Sequence, residues 1–482
     1  MKYALLLIVF AACGGCGSKF EVATLEDPNT CKTCHPKHFD QWSGSMHAYA
    51  SDDPVFVAMN KRGSREAALG PFCVQCHAPM TVRLHPEKTD YSDFDPQALP
   101  ASEKGITCYF CHNVDSVKDD HNNGLVLAMD QEMRGGAKNP VDTPAHDSAY
   151  DGTLVAGASS KNKSMLCGSC HDIVTPAGVA LERTFQEFKT TIFYNDPTAL
   201  VSCARCHMKV TDGVIADAPG LDVVSRQYGL HDHGFPAIDT AVTPGFPFVD
   251  VQMAGIDDIL GPAIGIKGPA PTSGNAPGGI CLPPSGILSV RMDSFNVGHN
   301  FPSGAGQDRR AWLEVIAYDN MGTVLFSSGV VPDDMDPEDI GDPVVDCVDA
   351  NPINQHCSGF WDRTKKTDGS PAHFFWDVAT ESGAAIKPPV TLTFSDPLYD
   401  HSTTVSFNVG ALITQIDRIT ARVRIRPFPY AMLRELVASG DLDPMFAANL
   451  KALQPIGSMK VWDKATENTG ASLNTHCNYE PL

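Results

Sequence analysis

The motif Cys-x-x-Cys-His occurs five times in the first 207 residues of this 482-residue chain, at Cys31–His35, Cys73–His77, Cys108–His112, Cys167–His171 and Cys203–His207. It is the attachment signature of covalently bound c-type haem. Two thiols add across the porphyrin vinyl groups, and the His after the second Cys reaches the iron. A zinc ribbon also uses Cys-x-x-Cys pairs, but it does not need a His after every one. A thioredoxin-like dithiol belongs beside a βαβ pattern, whereas these segments are short, polar and rich in Pro and Gly. The expected cofactors are therefore five haem c groups. Cys31, Cys34, Cys73, Cys76, Cys108, Cys111, Cys167, Cys170, Cys203 and Cys206 would attach them. His35, His77, His112, His171 and His207 would be the proximal ligands.

The first residues read as an export signal. Met1-Lys2-Tyr3 is followed by an apolar run, Ala4–Ala12, and then Cys13-Gly14-Gly15-Cys16. The run is too short to span a bilayer but suits the core of an export signal. A Cys directly after Ala11-Ala12 reads as a lipoprotein cleavage site with Cys13 as the lipidated residue. Cys16 is a competing site, and ordinary cleavage to a soluble product is the alternative. Export agrees with haem attachment, which takes place on the outer side of the bacterial cytoplasmic membrane. The expected location is the cell envelope, lipid-anchored at the outer membrane on its periplasmic or extracellular face. Formal charge is −21, to which haem propionates would add. Such a surface repels nucleic acid and favours basic partners.

The organisation predicted is α+β and multidomain. Residues 1–16 form the signal and lipidation site, and 24–255 a five-haem domain of mostly short helices and irregular chain. Porphyrins there supply much of the apolar bulk that side chains supply elsewhere. One longer helix is expected across Ala177–Thr190. Residues 256–286 are a Gly/Pro-rich linker. Period-two alternation then marks an antiparallel β-sandwich over 287–430. Leu288, Val290 and Met292 form one strand, and Ala311–Tyr318 and Thr323–Phe326 form a hairpin. Ile419, Ala421, Val423 and Ile425 form another strand. A helical tail covers 431–482. Cys281, Cys347, Cys357 and Cys477 are expected to pair in an exported protein, with three connectivities open. The acidic run Asp333–Asp339 is a solvated loop or a calcium site, though it lacks an EF-hand spacing.

Twelve His remain after the five proximal ones, and they decide what each iron can do. A haem with two imidazoles is coordinatively full and carries electrons; one with an empty sixth position can bind a substrate. His47, in Trp42-Ser43-Gly44-Ser45-Met46-His47-Ala48, is the leading distal candidate. His146 precedes the fourth motif, and His231 and His233 follow the fifth. His299 lies in the sandwich segment, where ligation would tie the two domains into one unit. Of the 231/233 pair His233 is preferred, and His85 completes the set ahead of His121. Met46 and Met80 are alternative ligands. His356, His373, His401 and His476 are read as structural.

These segments resemble the cytochrome c554 and hydroxylamine-oxidoreductase group of multihaem cytochromes. Cys31–His35 with Trp42-Ser43 and Ser45–Ala48 is similar to that group's opening. Cys167–Asp172, Leu181–Phe185 and Cys203–Met208 resemble its later module. Gly298–Gly304 resembles the start of a β-sandwich attached to several members. The resemblance implies a continuous stack of haems, with His47 a distal ligand of a haem other than its neighbour. The chain departs from the group in having five motifs rather than the namesake's four, and in Glu187–Thr190, where relatives show Trp and Ser. No Cys-x-x-Cys-Lys occurs, unlike the pentahaem nitrite reductases.

The first functional reading is an electron carrier relaying single electrons between redox partners, either other cytochromes or quinol-linked donors. The alternative is an enzyme, a reductase or oxidase of a small nitrogen or sulfur compound at one high-spin haem, with Tyr109 or His121 as proton donor. A third is assembly into a polymer or outer-membrane complex through the sandwich.

Overall fold

A computed structural model of the chain describes residues 19–135, 143, 145–150, 160–218, 223, 225–266, 280–282, 284–339, 345–346, 357–450 and 454–464. The expected signal and lipidation site lie outside these residues, as do Cys347, Cys477, His356 and His476. Among the described residues no helix is long and apolar enough to cross a membrane.

Short helices carry the motif region. The longest are Pro54–Ala67 and Val249–Leu260; Cys108–His112 and Cys203–His207 are single turns. Local polar groups start them. Thr107 Oγ1 accepts from the Phe110 amide at 3.2 Å at the head of Cys108–His112, and Asp53 accepts from the Val55 amide at 2.9 Å, satisfying amides that a first turn leaves open. The apolar packing is broken into small clusters, such as Leu25, Met80, Tyr109 and Phe110, or Phe56, Val74, Ala78 and Tyr91. The longer helix expected across Ala177–Thr190 is instead a hairpin and a five-residue helix. Ile173–Val174 pairs with Ala180–Glu182, and Thr184–Phe188 follows. Gly178 has φ +85°, which opens the turn and stops a helix there.

The second half is a two-sheet sandwich. In one sheet Ile287–Asp293 pairs with Thr403–Asn408, Leu288 facing Phe407 and Val290 facing Val405. In the other Arg310–Tyr318 pairs with Arg418–Arg426, Leu313 opposite Val423 and Val315 opposite Ala421. Alternate residues from both sheets point inward and form one continuous buried cluster, as the period of two requires. The predicted hairpin is present: Tyr318 faces Val324, and Asp319 holds the turn by accepting from the Met321 and Thr323 amides.

Two boundaries differ from the sequence reading. The two described ends of the linker, Gly265–Ile266 and Ile280–Cys281, are strands of the first sheet. The tail has its two helices, Tyr430–Ala438 and Pro444–Ala448, but then adds a strand, Gln454–Asp463, along Arg418–Arg426. Pro455 and Gly457 conceal it in the sequence, and a sheet edge is where a strand tolerates them. The acidic run is largely solvent-exposed, at Asp333, Asp334, Glu338 and Asp339, as the sequence reading expects, with one exception. Asp336 is buried and accepts from Arg426 at 3.1 Å and from the amides of Tyr430 and Ala431 at 2.9 and 2.8 Å. It caps the tail helix and neutralises a fully buried guanidinium.

The two halves are locked together. Glu187 accepts from the Asn300 amide, Asn300 Nδ2 and Ser303 Oγ at 3.1, 2.7 and 2.6 Å. Arg309 grips Asp239 with two bonds of 2.8 Å. The tail helix packs Met432, Leu433 and Leu436 against Val55 and Ala58 of the long helix in the motif region.

Candidate functional site

Each motif histidine belongs to a short helix or its edge, and four of the five face a second histidine brought from far along the chain. His35 and His146 have ring centres 6.4 Å apart at 26°. His112 and His233 are 6.3 Å apart at 21°, and His207 and His299 6.3 Å apart at 19°. His171 and His47 are 6.1 Å apart at 54°. A metal ion between two imidazoles separates the ring centres by about 6 Å, because each metal–nitrogen bond is about 2 Å and the centre lies about 1 Å beyond. The four pairs have the spacing of one iron held from both sides.

The ring nitrogens are set up for this role. Nδ1 lies 2.8 Å from the Ile215 carbonyl in His35, 2.7 Å from that of Arg134 in His112 and 2.9 Å from that of Pro236 in His207. In the facing rings it lies 2.8 Å from the Asp147 carbonyl for His146, 2.9 Å from that of His231 for His233 and 2.7 Å from that of Asn300 for His299. A carbonyl only accepts, so Nδ1 carries the proton and Nε2 keeps its lone pair for a metal. Burial also keeps four of these imidazoles uncharged, holding His47 and His233 down at about 3 and His77 and His171 at about 4. A neutral imidazole is the ligating form.

The aromatic and hydroxyl residues ahead of His47 position it. Trp42 Nε1 donates to the Ile106 carbonyl at 2.7 Å, and Ser45 Oγ accepts from the Ala48 amide at 3.2 Å to start the turn that carries His47. The Ile106 amide returns a bond to the His47 carbonyl at 3.0 Å. Phe235 packs its ring 4.4 Å from that of His47, a contact with no sequence signal beyond its place two residues after His233.

His77 differs. Its Nδ1 lies 3.3 Å from the Ala50 carbonyl, and Phe56 stacks flat on it at 4.2 Å. Among the described residues no histidine ring faces it at the spacing of the other four pairs. His85, predicted as a candidate distal ligand, instead has Nε2 3.2 Å from Glu103. His231 is exposed, with Nδ1 2.9 Å from the Met208 carbonyl. Tyr109 is fully buried and donates to the Asp130 carbonyl at 2.9 Å, and His121 lies beside Asp120 at 3.6 Å. Met80 is buried in an apolar cluster. His38 was not singled out in the sequence, yet it packs edge-on to His233 at 4.8 Å.

The ten motif cysteines are free thiols, and those of different motifs meet. The Cys31 thiol lies within hydrogen-bond reach of Cys108, Cys76 of Cys170 and Cys167 of Cys203. The first motif thus lies against the third, and the second and fifth both against the fourth; Cys111 of the third lies near Cys170 of the fourth, which joins all five into one contiguous group. Burial pushes the thiols of Cys73 and Cys111 up to about 12, an environment that suits a neutral thioether better than a thiolate. No three His, Cys, Asp or Glu side chains among the described residues converge on one point, as a zinc ribbon needs. The donor set fits haem c: two thiols and one imidazole per motif, with a second imidazole opposite four of them.

Comparison with known proteins agrees with this chemistry. Residues 30–113 match the family model described as cytochrome c554 and c-prime. The fold resembles that of a penta-haem cytochrome c552 from Thermochromatium tepidum, with a TM-score of 0.57 and 17% identity, covering 92% of this chain and 99% of that one. No curated protein matches.

Proposed function

We propose that this chain, a multihaem cytochrome c of the c554 group, is an exported pentahaem carrier that relays single electrons along its contiguous motifs. The observation that carries the reading is the set of four imidazole pairs at 6.1–6.4 Å, each joining a motif histidine to a distant one. When bound, haem iron supplies a one-electron ferric/ferrous couple. The chain's own residues do the rest. His35 with His146, His171 with His47, His112 with His233, and His207 with His299 would hold four irons from both sides and leave no position for substrate. The backbone carbonyls on Nδ1 would raise ligand basicity and fix the rings of His35, His112, His207, His146, His233 and His299. The pairs at His146 and His233 draw ligands from loops, and His299 draws one from the sandwich, so the sandwich becomes part of the redox core.

A second reading rests on His77. With no facing histidine among the described residues, its haem would keep a sixth position for a small nitrogen or sulfur compound. One experiment addresses both. Haem content and low-temperature EPR of the oxidised protein are measured with and without nitrite or hydroxylamine. The carrier reading expects five haems, four of them low-spin and unmoved by either compound. Fewer than four low-spin irons would sink it. A high-spin signal that shifts on addition would move the fifth haem to the second reading.

A further inference from the structure

The described chain begins at Lys19, and its first two residues are built into the histidine site. The Phe20 amide donates to the Ala145 carbonyl at 3.0 Å, and Lys19 pairs with Asp147. These partners flank His146, the ring that faces His35. Gln131 Nε2 donates to the Phe20 carbonyl at 2.9 Å. Beyond Gln131, Glu132–Gly135 pairs with Asp147–Tyr150, placing Glu132 beside Asp147. The chain therefore enters the fold at the edge of the first motif's ligand pair.

That entry point is also close to the lipid-bearing cysteine of the sequence reading. A fully extended chain spans at most about 3.6 Å per residue, so Lys19 lies within about 22 Å of Cys13, or about 11 Å of Cys16. A tether this short cannot let the protein turn freely on a membrane. It holds down whichever face surrounds Lys19. Phe20 next to Lys19 is 39% exposed, and Met129, two residues before the Gln131 that holds the Phe20 carbonyl, and Val126 are 37% and 41% exposed.

We propose that the N-terminal lipid seats this face, formed by Lys19-Phe20, Val126–Gln131 and Ala145–Asp147, on the phospholipid surface. The first motif, Cys31–His35, then becomes the redox site nearest the bilayer. The inference rests on the carrier and lipid-anchor readings and adds the orientation and the partner class, a lipid-soluble donor. A quinol is such a donor: it gives up two electrons, one at a time to ferric irons, and two protons to water. Because tunnelling weakens steeply with distance, the haem pressed to the membrane is the one it reaches.

The test uses the full lipidated chain with phosphatidylethanolamine/phosphatidylglycerol vesicles and follows amide hydrogen exchange. Vesicles should slow exchange at residues 124–135 and 145–150 by about tenfold or more, and leave the sandwich unchanged. A variant with a twenty-residue Gly-Ser insert between Ser18 and Lys19 should still float with vesicles and keep its haem content, yet lose most of that protection. The local concentration of the face at the membrane falls about tenfold for such a lengthening. Phe20→Asp with Met129→Asp should weaken the protection in the original chain. Flotation without protection, or protection indifferent to the insert, would overturn the seating and leave the carrier reading intact. Failure to float would remove anchor and seating together, again without touching the EPR result. Protection by a second copy in detergent alone, abolished by the double substitution, would assign the face to self-association and overturn the proposal.

Discussion

Glu187 joins the motif region to the loop that presents His299, and its removal is the sharpest test of how the site is held. The carboxylate is buried, and burial raises its pKa. It accepts three hydrogen bonds, from the Asn300 amide, Asn300 Nδ2 and Ser303 Oγ. Bonds to a charged acceptor are worth about 1.5–3 kcal/mol each, and part of that sum offsets the cost of burying the charge. Glu187→Ala should therefore ease opening of the 299–304 loop by about 3–4 kcal/mol, which is roughly a hundred- to thousandfold in its open population. Glu187→Gln keeps one acceptor oxygen and should fall between, at about 1–2 kcal/mol. Two readouts check this. Hydrogen exchange at Asn300 should accelerate in that order, and the haem proposed between His207 and His299 should gain high-spin character in the Ala variant. If Asn300 exchanges within threefold of the parent rate and the spectrum stays fully low-spin, Glu187 does not position His299, and the argument fails.

Other expectations concern separate parts of the molecule. Single substitutions of His47, His146, His233 or His299 by Ala should each convert one haem to high-spin with all five still attached, whereas His85→Ala should leave the EPR spectrum unaltered. Glu182 and Asp308 are raised to about 7 and about 6, chiefly by burial. The folded protein thus holds protons that the unfolded chain has released, and stability should fall as pH rises from 4.5 toward about 7 for Glu182 and from 3.8 toward about 6 for Asp308. Urea midpoints across that range should slope less steeply in Glu182→Gln, and equal slopes would refute the assignment. Asp336→Ala strands the buried Arg426 and two helix amides and should cost about 3–5 kcal/mol. Calcium or a chelator should leave the melting temperature of the parent chain unchanged, because Arg426 already occupies that carboxylate.

Some of this was legible in the residues because its cause is local. Strand alternation in Leu288–Met292 and Ile419–Ile425 reports a buried face directly. The hairpin at Asp319–Gly322 follows from turn chemistry, and Trp42 and Ser45 signalled a held His47. The edge strand at 454–463 was hidden by Pro455 and Gly457. Within the exposed acidic run 333–339 the buried role of Asp336 was not legible, because Arg426, its partner, lies some ninety residues away.

The sequence by itself determined the chemistry of attachment. Two thiols and one imidazole within five residues need nothing beyond a single helical turn to meet a porphyrin. Only the tertiary structure decided which second histidine faces which motif: His35 with His146, His47 with His171, His112 with His233 and His207 with His299. Those partners lie roughly a hundred residues apart, and local periodicity carries no record of such separations. His299 meets His207 because Glu187, Arg309 and the tail helix lock the sandwich onto the motif region, whereas the other three pairs form within that region. His77 there lies against Phe56, with no histidine across from it among the described residues.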